Sequence, residues 1–162
     1  MKTRPKKIII LLIFIFVLFT FLFIYVTNSK YSFELMMTIA SRTDVSDFYK
    51  NHKDEFEIIK NSVIEEYKNS EICYNLTEYS YSHSDEKIQK AISGVLEDQK
   101  EYIYCELTHI KFKGEFLYFY TPNETRYIVF STQNKKPEMP LYGDKIIYCH
   151  VLRKGWYYCE SE

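Results

Sequence analysis

Glycine and proline are scarce, at four each in 162 residues. So few glycines leave no Gly-rich loop to cradle a phosphate, and neither the P-loop nor the dinucleotide fingerprint is present. No G-x-S-x-G elbow and no H-E-x-x-H helix occurs, so the common hydrolase and zinc-protease signatures are missing. Histidine occurs four times. The one Cys-His neighbour pair, Cys149-His150, lies in a strand-like stretch where adjacent side chains point to opposite faces. No catalytic residue, metal site or cofactor is therefore expected. Acid pairs such as Asp54-Glu55, Glu65-Glu66 and Glu97-Asp98 fall on solvated faces.

Charge is missing where it matters most. Residues 8–26, IIILLIFIFVLFTFLFIYV, carry none, and no Gly or Pro either. Nineteen residues at about 1.5 Å each make roughly 28 Å of helix, close to the ~30 Å hydrocarbon core of a bilayer. Backbone groups in lipid must be satisfied within the segment, which leaves a helix as the form of a single span. No acid precedes the run, but Lys2, Arg4, Lys6 and Lys7 do. A basic flank stays cytoplasmic, so the remainder should lie outside. A cleaved signal peptide is the competing reading. Its apolar region is normally about 7–15 residues and ends at a small-x-small site, to which Thr27-Asn28-Ser29 is the sole approximation. The expected organisation is a basic cytoplasmic tail (1–7), a transmembrane helix (8–27), a juxtamembrane segment (28–43) and one extracytoplasmic domain (44–162).

Beyond residue 27 there is no basic excess, with 17 basic against 22 acidic residues, a formal charge of −5. That argues against nucleic acid or an anionic lipid surface as a partner of the outer part. Its four cysteines, Cys73, Cys105, Cys149 and Cys159, form an even set in a segment expected outside the reducing cytosol.

The outer chain opens with 31–41, whose Phe33, Met36, Met37 and Ala40 recur at helical spacing. Thr43, Asp44 and Ser46 then offer N-cap oxygens. Val45, Phe48, His52, Phe56, Ile59, Val63 and Tyr67 step by three and four, predicting a helix over 45–68 with one apolar stripe. Residues 71–77 alternate and suggest an edge strand. Ser82-His83-Ser84-Asp85 can cap a short second helix with Ile88, Ala91, Ile92, Val95 and Leu96 on its apolar face.

From 101 the pattern is that of strands, at 101–112, 115–121, 125–131, 145–152 and 156–160. They are joined by turns at Lys113-Gly114, Pro122–Glu124 and Arg153–Gly155 and by a two-proline loop at 134–145. Pairing 112 with 115 and 121 with 126 gathers Ile110, Phe112, Leu117, Phe119, Ile128 and Phe130 on one face, which the 45–68 stripe can cover. The fold class is thus α+β: a single N-terminal transmembrane helix, then one or two main helices on a four- to five-stranded antiparallel meander. Cys149 and Cys159 are symmetric about Lys154, so a hairpin sets them opposite each other within disulfide range. Elimination then pairs Cys73 with Cys105.

The remaining functional signal is aromatic. Tyr118, Tyr120 and Tyr127 share one sheet face, and Trp156 and Tyr158 share a strand-pair face with His150. Such residues suit binding surfaces, so these five form the candidate binding face. Ordinary packing under another element is the competing reading.

The basic-then-apolar start, the helix DFYKNHKDEFEIIKNSVIEEY, the Tyr-rich strands and the terminal GWYYCE resemble small uncharacterised membrane-anchored or exported proteins of low-GC bacteria. The resemblance implies no activity, catalytic residue or cofactor. The expectation is a non-enzymatic, single-pass, membrane-anchored interaction or accessory domain, with the bilayer and a protein of the cell envelope as partners. Two alternatives stay open. One is a small envelope enzyme, which would need His109 or His150 joined to carboxylates in a polar pocket. The other is an immunity-type membrane protein.

Overall fold

The computed structural model describes residues 4–67, 71–102, 105–120, 125–140 and 145–162. The turn expected at Pro122–Glu124 lies outside them. The chain divides into two units, Met1–Ala40 and Ser41–Glu162.

In the first unit the apolar run is helical and continues without a break. Helix α1 spans Arg4–Asn51, 48 residues. The caps expected at 43–46 are not used as a start, because the preceding residues are already helical and Thr43–Ser46 simply extend the helix. Every large apolar side chain from Ile15 to Met37 that is described is exposed. The helix is long and apolar enough to cross a membrane.

The second unit begins with the last turns of α1 and with α2, Lys53–Tyr67. His52 separates the two as a turn, yet the ladder runs on across it: His52 N donates to Phe48 O at 3.1 Å and Phe56 N to His52 O at 3.0 Å. The stripe predicted for this stretch is buried at Val45, Phe48, His52, Phe56, Ile59 and Val63. Strand β1, Ile72–Asn75, stops where the Asn75 side chain accepts from Thr77 N and starts α3, Leu76–Ser82. Asp85 caps α4, Glu86–Asp98, in the same way, accepting from Lys87 N at 2.8 Å. A 3₁₀ turn at Gln99–Glu101 follows.

Five more strands come next: β2 His109–Lys113, β3 Phe116–Tyr120, β4 Arg126–Ser131, β5 Ile146–Arg153 and β6 Trp156–Ser161. With β1 they form a six-stranded antiparallel sheet among the described residues, in the order β1-β2-β3-β4-β6-β5. The architecture is α+β, with a sheet larger than the four to five strands expected. The β2–β3 loop is Gly114-Glu115 rather than Lys113-Gly114, so Ile110 pairs with Phe119 and Phe112 with Leu117. The shift is two residues, an even number, and leaves every side chain on its expected face. Gly114 takes φ +61°, which a first loop residue needs and glycine adopts freely. In the next hairpin Phe119 pairs with Ile128 and Leu117 with Phe130, as the alternation indicates.

One sheet face packs under the helices. Phe56 sits at its centre, 4.9 Å from the Phe119 ring, 5.8 Å from Trp156 and 6.0 Å from Phe48. Ile110, Phe112, Leu117, Ile128 and Tyr158 complete this core together with Ala91, Ile92 and Val95 of α4. The other face holds a smaller cluster of Tyr118, Tyr120, Tyr127, Val129, Tyr157 and Cys159. The chain meets β4 with β6 and leaves β5 at the edge. Accordingly every residue of β6 is buried and no residue of β5 is fully so.

Candidate functional site

The disulfide is the firmest of the expected site features. Cys149 and Cys159 are register partners on β5 and β6, with Cα atoms 4.1 Å apart, and are joined by a disulfide. Such bonds persist in oxidising compartments.

Cys73 and Cys105 are not paired; both are free thiols, a correction to the pairing reached by elimination. The reason is the sheet between them. Cys105 is buried in the helix-side core with Leu107 and Val45, and burial pushes its thiol up. Cys73 is exposed on β1, with its Sγ 3.2 Å from the Tyr120 hydroxyl of the opposite cluster.

The five candidate aromatics also need correction as an exposed face. Tyr118, Tyr120, Tyr127, Trp156 and Tyr158 are 6, 2, 1, 0 and 2 % exposed. Trp156 and Tyr158 belong to the helix-side core. The three tyrosines face the other way, into the smaller cluster. There the 132–140 segment folds back on the sheet: Tyr157 Oη donates to Asn134 O at 3.2 Å, and Pro137 is buried. Burial pushes the Tyr118 phenol up to about 12, with the Tyr127 and Glu115 groups adding to it.

Three polar arrangements link elements around the core. The Trp156 indole donates to Glu57 Oε1 at 2.7 Å, and Lys60 and Arg153 also reach that carboxylate. Burial would raise the Glu57 carboxyl, but hydrogen bonds from Lys60 and Trp156 and the charges of Lys60 and Arg153 outweigh it and hold it below its ordinary value. His83 Nε2 lies 3.1 Å from Glu66 Oε2 beside Tyr79, whose hydroxyl is 3.0 Å from Ser62 Oγ. Buried His52 lies 3.5 Å from Asp98 and 4.0 Å from Glu55. Each of these groups is absorbed in packing helix against helix or helix against sheet. His109 stacks on Tyr120 and contacts Thr108, and exposed His150 stacks on Tyr148. Neither is in a described ion pair with a carboxylate. Among the described residues no group of three His, Cys, Asp or Glu side chains could hold a metal ion.

A groove of about 900 Å³ runs between the β2–β3 turn and the 135–140 segment. Phe116 and Tyr118 line it together with Lys113, Glu115, Lys135 and Met139. Its charges are partly paired already, Lys135 Nζ lying 4.0 Å from Glu115 and Lys113 Nζ 3.6 Å from Glu71. No residue pattern signals this groove, because it arises where a coil segment crosses the sheet. No protein-family model, no curated protein and no solved structure matches the chain.

Proposed function

We propose that the chain is a single-pass membrane protein anchored by the apolar part of α1. Its 41–162 unit lies on the extracytoplasmic side and serves as a binding domain for a protein partner at the cell envelope. The observation that carries the sidedness is the Cys149–Cys159 disulfide, which belongs to the unit following the apolar run. The four basic residues ahead of that run support the same orientation. Support for binding over catalysis comes from the way His52, His83, Glu57 and Glu66 are engaged between packed elements, while the groove offers a mixed apolar and charged concavity.

Protease protection tests the proposal. In intact cells making the full-length chain, protease added outside should remove the 41–162 unit and leave a short membrane-embedded fragment. A product digested only after the membrane is opened would contradict it. A photo-crosslinker at exposed Met139, in the groove, should then give one discrete protein adduct in native membranes, and the same crosslinker at exposed Ile147 of β5 should not.

A further inference from the structure

Helix α1 does not turn polar on every side where its apolar run ends. Tyr31, Phe33, Leu35, Met36, Met37 and Ile39 are all exposed, on a helix that continues from the run without a break. At about 100° per residue these side chains spread over roughly 240° of the circumference. The remaining side is a narrow polar stripe, on which Thr27, Lys30, Glu34 and Thr38 follow at steps of three and four. Lys30 Nζ and Glu34 Oε1 lie 3.8 Å apart along it, so these charges answer each other within one helix. Thr27 Oγ1 donates to Phe23 O at 2.9 Å, and Thr38 Oγ1 to Glu34 O at 2.9 Å. The stripe therefore needs no partner chain. Asn28, Ser29 and Ser32 fall on the wider side just past the run, at headgroup level, and Ser29 Oγ donates to Val26 O at 2.9 Å.

The width of the apolar side says what covers it. One packed helix needs a stripe of roughly 100°, and a paired seam is narrower still. Lipid fits any width. The apolar side is also continuous with the exposed surface of Ile15–Val26, which the single-pass reading already gives to lipid. A helix standing upright in water would be polar all round. A helix leaning over has two unlike sides, one against the boundary of headgroups and acyl chains and one against water. Length allows this. From Ile8 to Ile39 the helix runs roughly 47 Å, while a bilayer core and one headgroup layer together measure about 36 Å. A tilt of about 40° brings Ile39 to that level, the upper end of the range for membrane spans.

We propose that outer-leaflet lipid covers the Tyr31–Ile39 side of α1, the span tilting so that the Lys30–Glu34 stripe is uppermost. The contact is apolar and needs no anionic lipid. This inference rests on the single-pass reading above.

Purified full-length chain in phosphatidylcholine vesicles tests it, with one cysteine introduced at a time in a Cys73→Ser background. A charged maleimide should react about tenfold more slowly with Leu35→Cys, Met36→Cys and Ile39→Cys than with Glu34→Cys and Thr38→Cys, because lipid keeps out both the thiolate and the probe. A neutral fluorophore attached at the slow positions should be quenched by nitroxide-labelled lipid. Equal rates on both sides would place the segment in water and overturn the proposal. Protection found in native membranes and missing from these vesicles would assign the cover to another protein. Protection lost as lipid is added in excess would assign it to a second copy. Either result overturns the proposal. Alkaline extraction of native membranes separates the two readings. A chain that stays in the pellet yet labels equally on both sides loses the tilt alone, whereas a chain released into solution loses the anchor as well.

Discussion

Arg42 and Glu160, 118 positions apart, meet where the last turns of α1 reach β6: Arg42 Nη2 donates to Glu160 Oε2 at 2.9 Å. The guanidinium lies 3.5 Å from the Tyr148 ring centroid, and Tyr158 Oη donates to Glu160 Oε1 at 2.8 Å. The carboxylate is thus nearly enclosed, with a cation on one side and a phenol on the other. Arg42→Ala would leave it buried without its counter-charge, a loss of about 3 kcal/mol. Glu160→Gln added to Arg42→Ala should recover part of that, since an amide is cheaper to bury alone than an anion. Chemical denaturation followed by fluorescence of Trp156, the one tryptophan and fully buried, reads both variants.

Phe56 is the residue on which helix and sheet converge. Phe56→Ala should cost about 3–5 kcal/mol, because Phe48, Tyr49, Phe119 and Trp156 lose their shared partner and the sheet cannot collapse to fill the space. The same denaturation experiment measures it.

Two glycines should respond in opposite directions. Gly94 is inside α4, and an added Cβ would meet Glu55 Cγ at an ordinary 3.8 Å. Gly94→Ala should therefore stabilise by about 1 kcal/mol. Gly155 has φ +80°, and a Cβ there would lie 3.1 Å from the Phe130 ring. Gly155→Ala should destabilise by more than about 1 kcal/mol, from the strained backbone and the crowding together. Thermal midpoints of the two variants should move apart.

The depressed Glu57 carboxyl makes part of the stability pH-dependent. Its folded pKa lies below the ordinary 4.5, so its contribution is present above about pH 4.5 and is lost as pH falls through the folded value. Glu57→Gln should be less stable than wild type at neutral pH, and the gap should narrow as the solution is acidified below that point. A gap that stays constant down to acid unfolding would show that the Lys60, Trp156 and Arg153 contacts do not favour the ionised form.

The parts legible in the sequence were those set by periodicity. The stripe from Val45 to Val63 and the pairing of Leu117 with Phe130 follow from spacings of three to four and of two, and both are observed. Cys149 opposite Cys159 follows from hairpin symmetry. The order β4-β6-β5 was not legible, since both strands alternate and nothing local says which one reaches β4. Helix α3 was missed because it is seven residues long and owes its start to one Asn75 side chain. The tyrosine face was misread for a different reason. Alternation tells which side Tyr118, Tyr120 and Tyr127 are on, but it says nothing of the 132–140 coil that folds back over them. Cys73 and Cys105 failed to pair because elimination ignores the sheet that separates them.

Cys73 offers the most direct test of where the domain resides. It is the exposed free thiol of the folded unit, while Cys105 is buried and Cys149 and Cys159 are bonded. A membrane-impermeant maleimide applied to intact cells making the full-length chain should label Cys73, and Cys73→Ser should abolish the signal. Labelling of Cys73 that appears only after the membrane is permeabilised would contradict an extracytoplasmic domain.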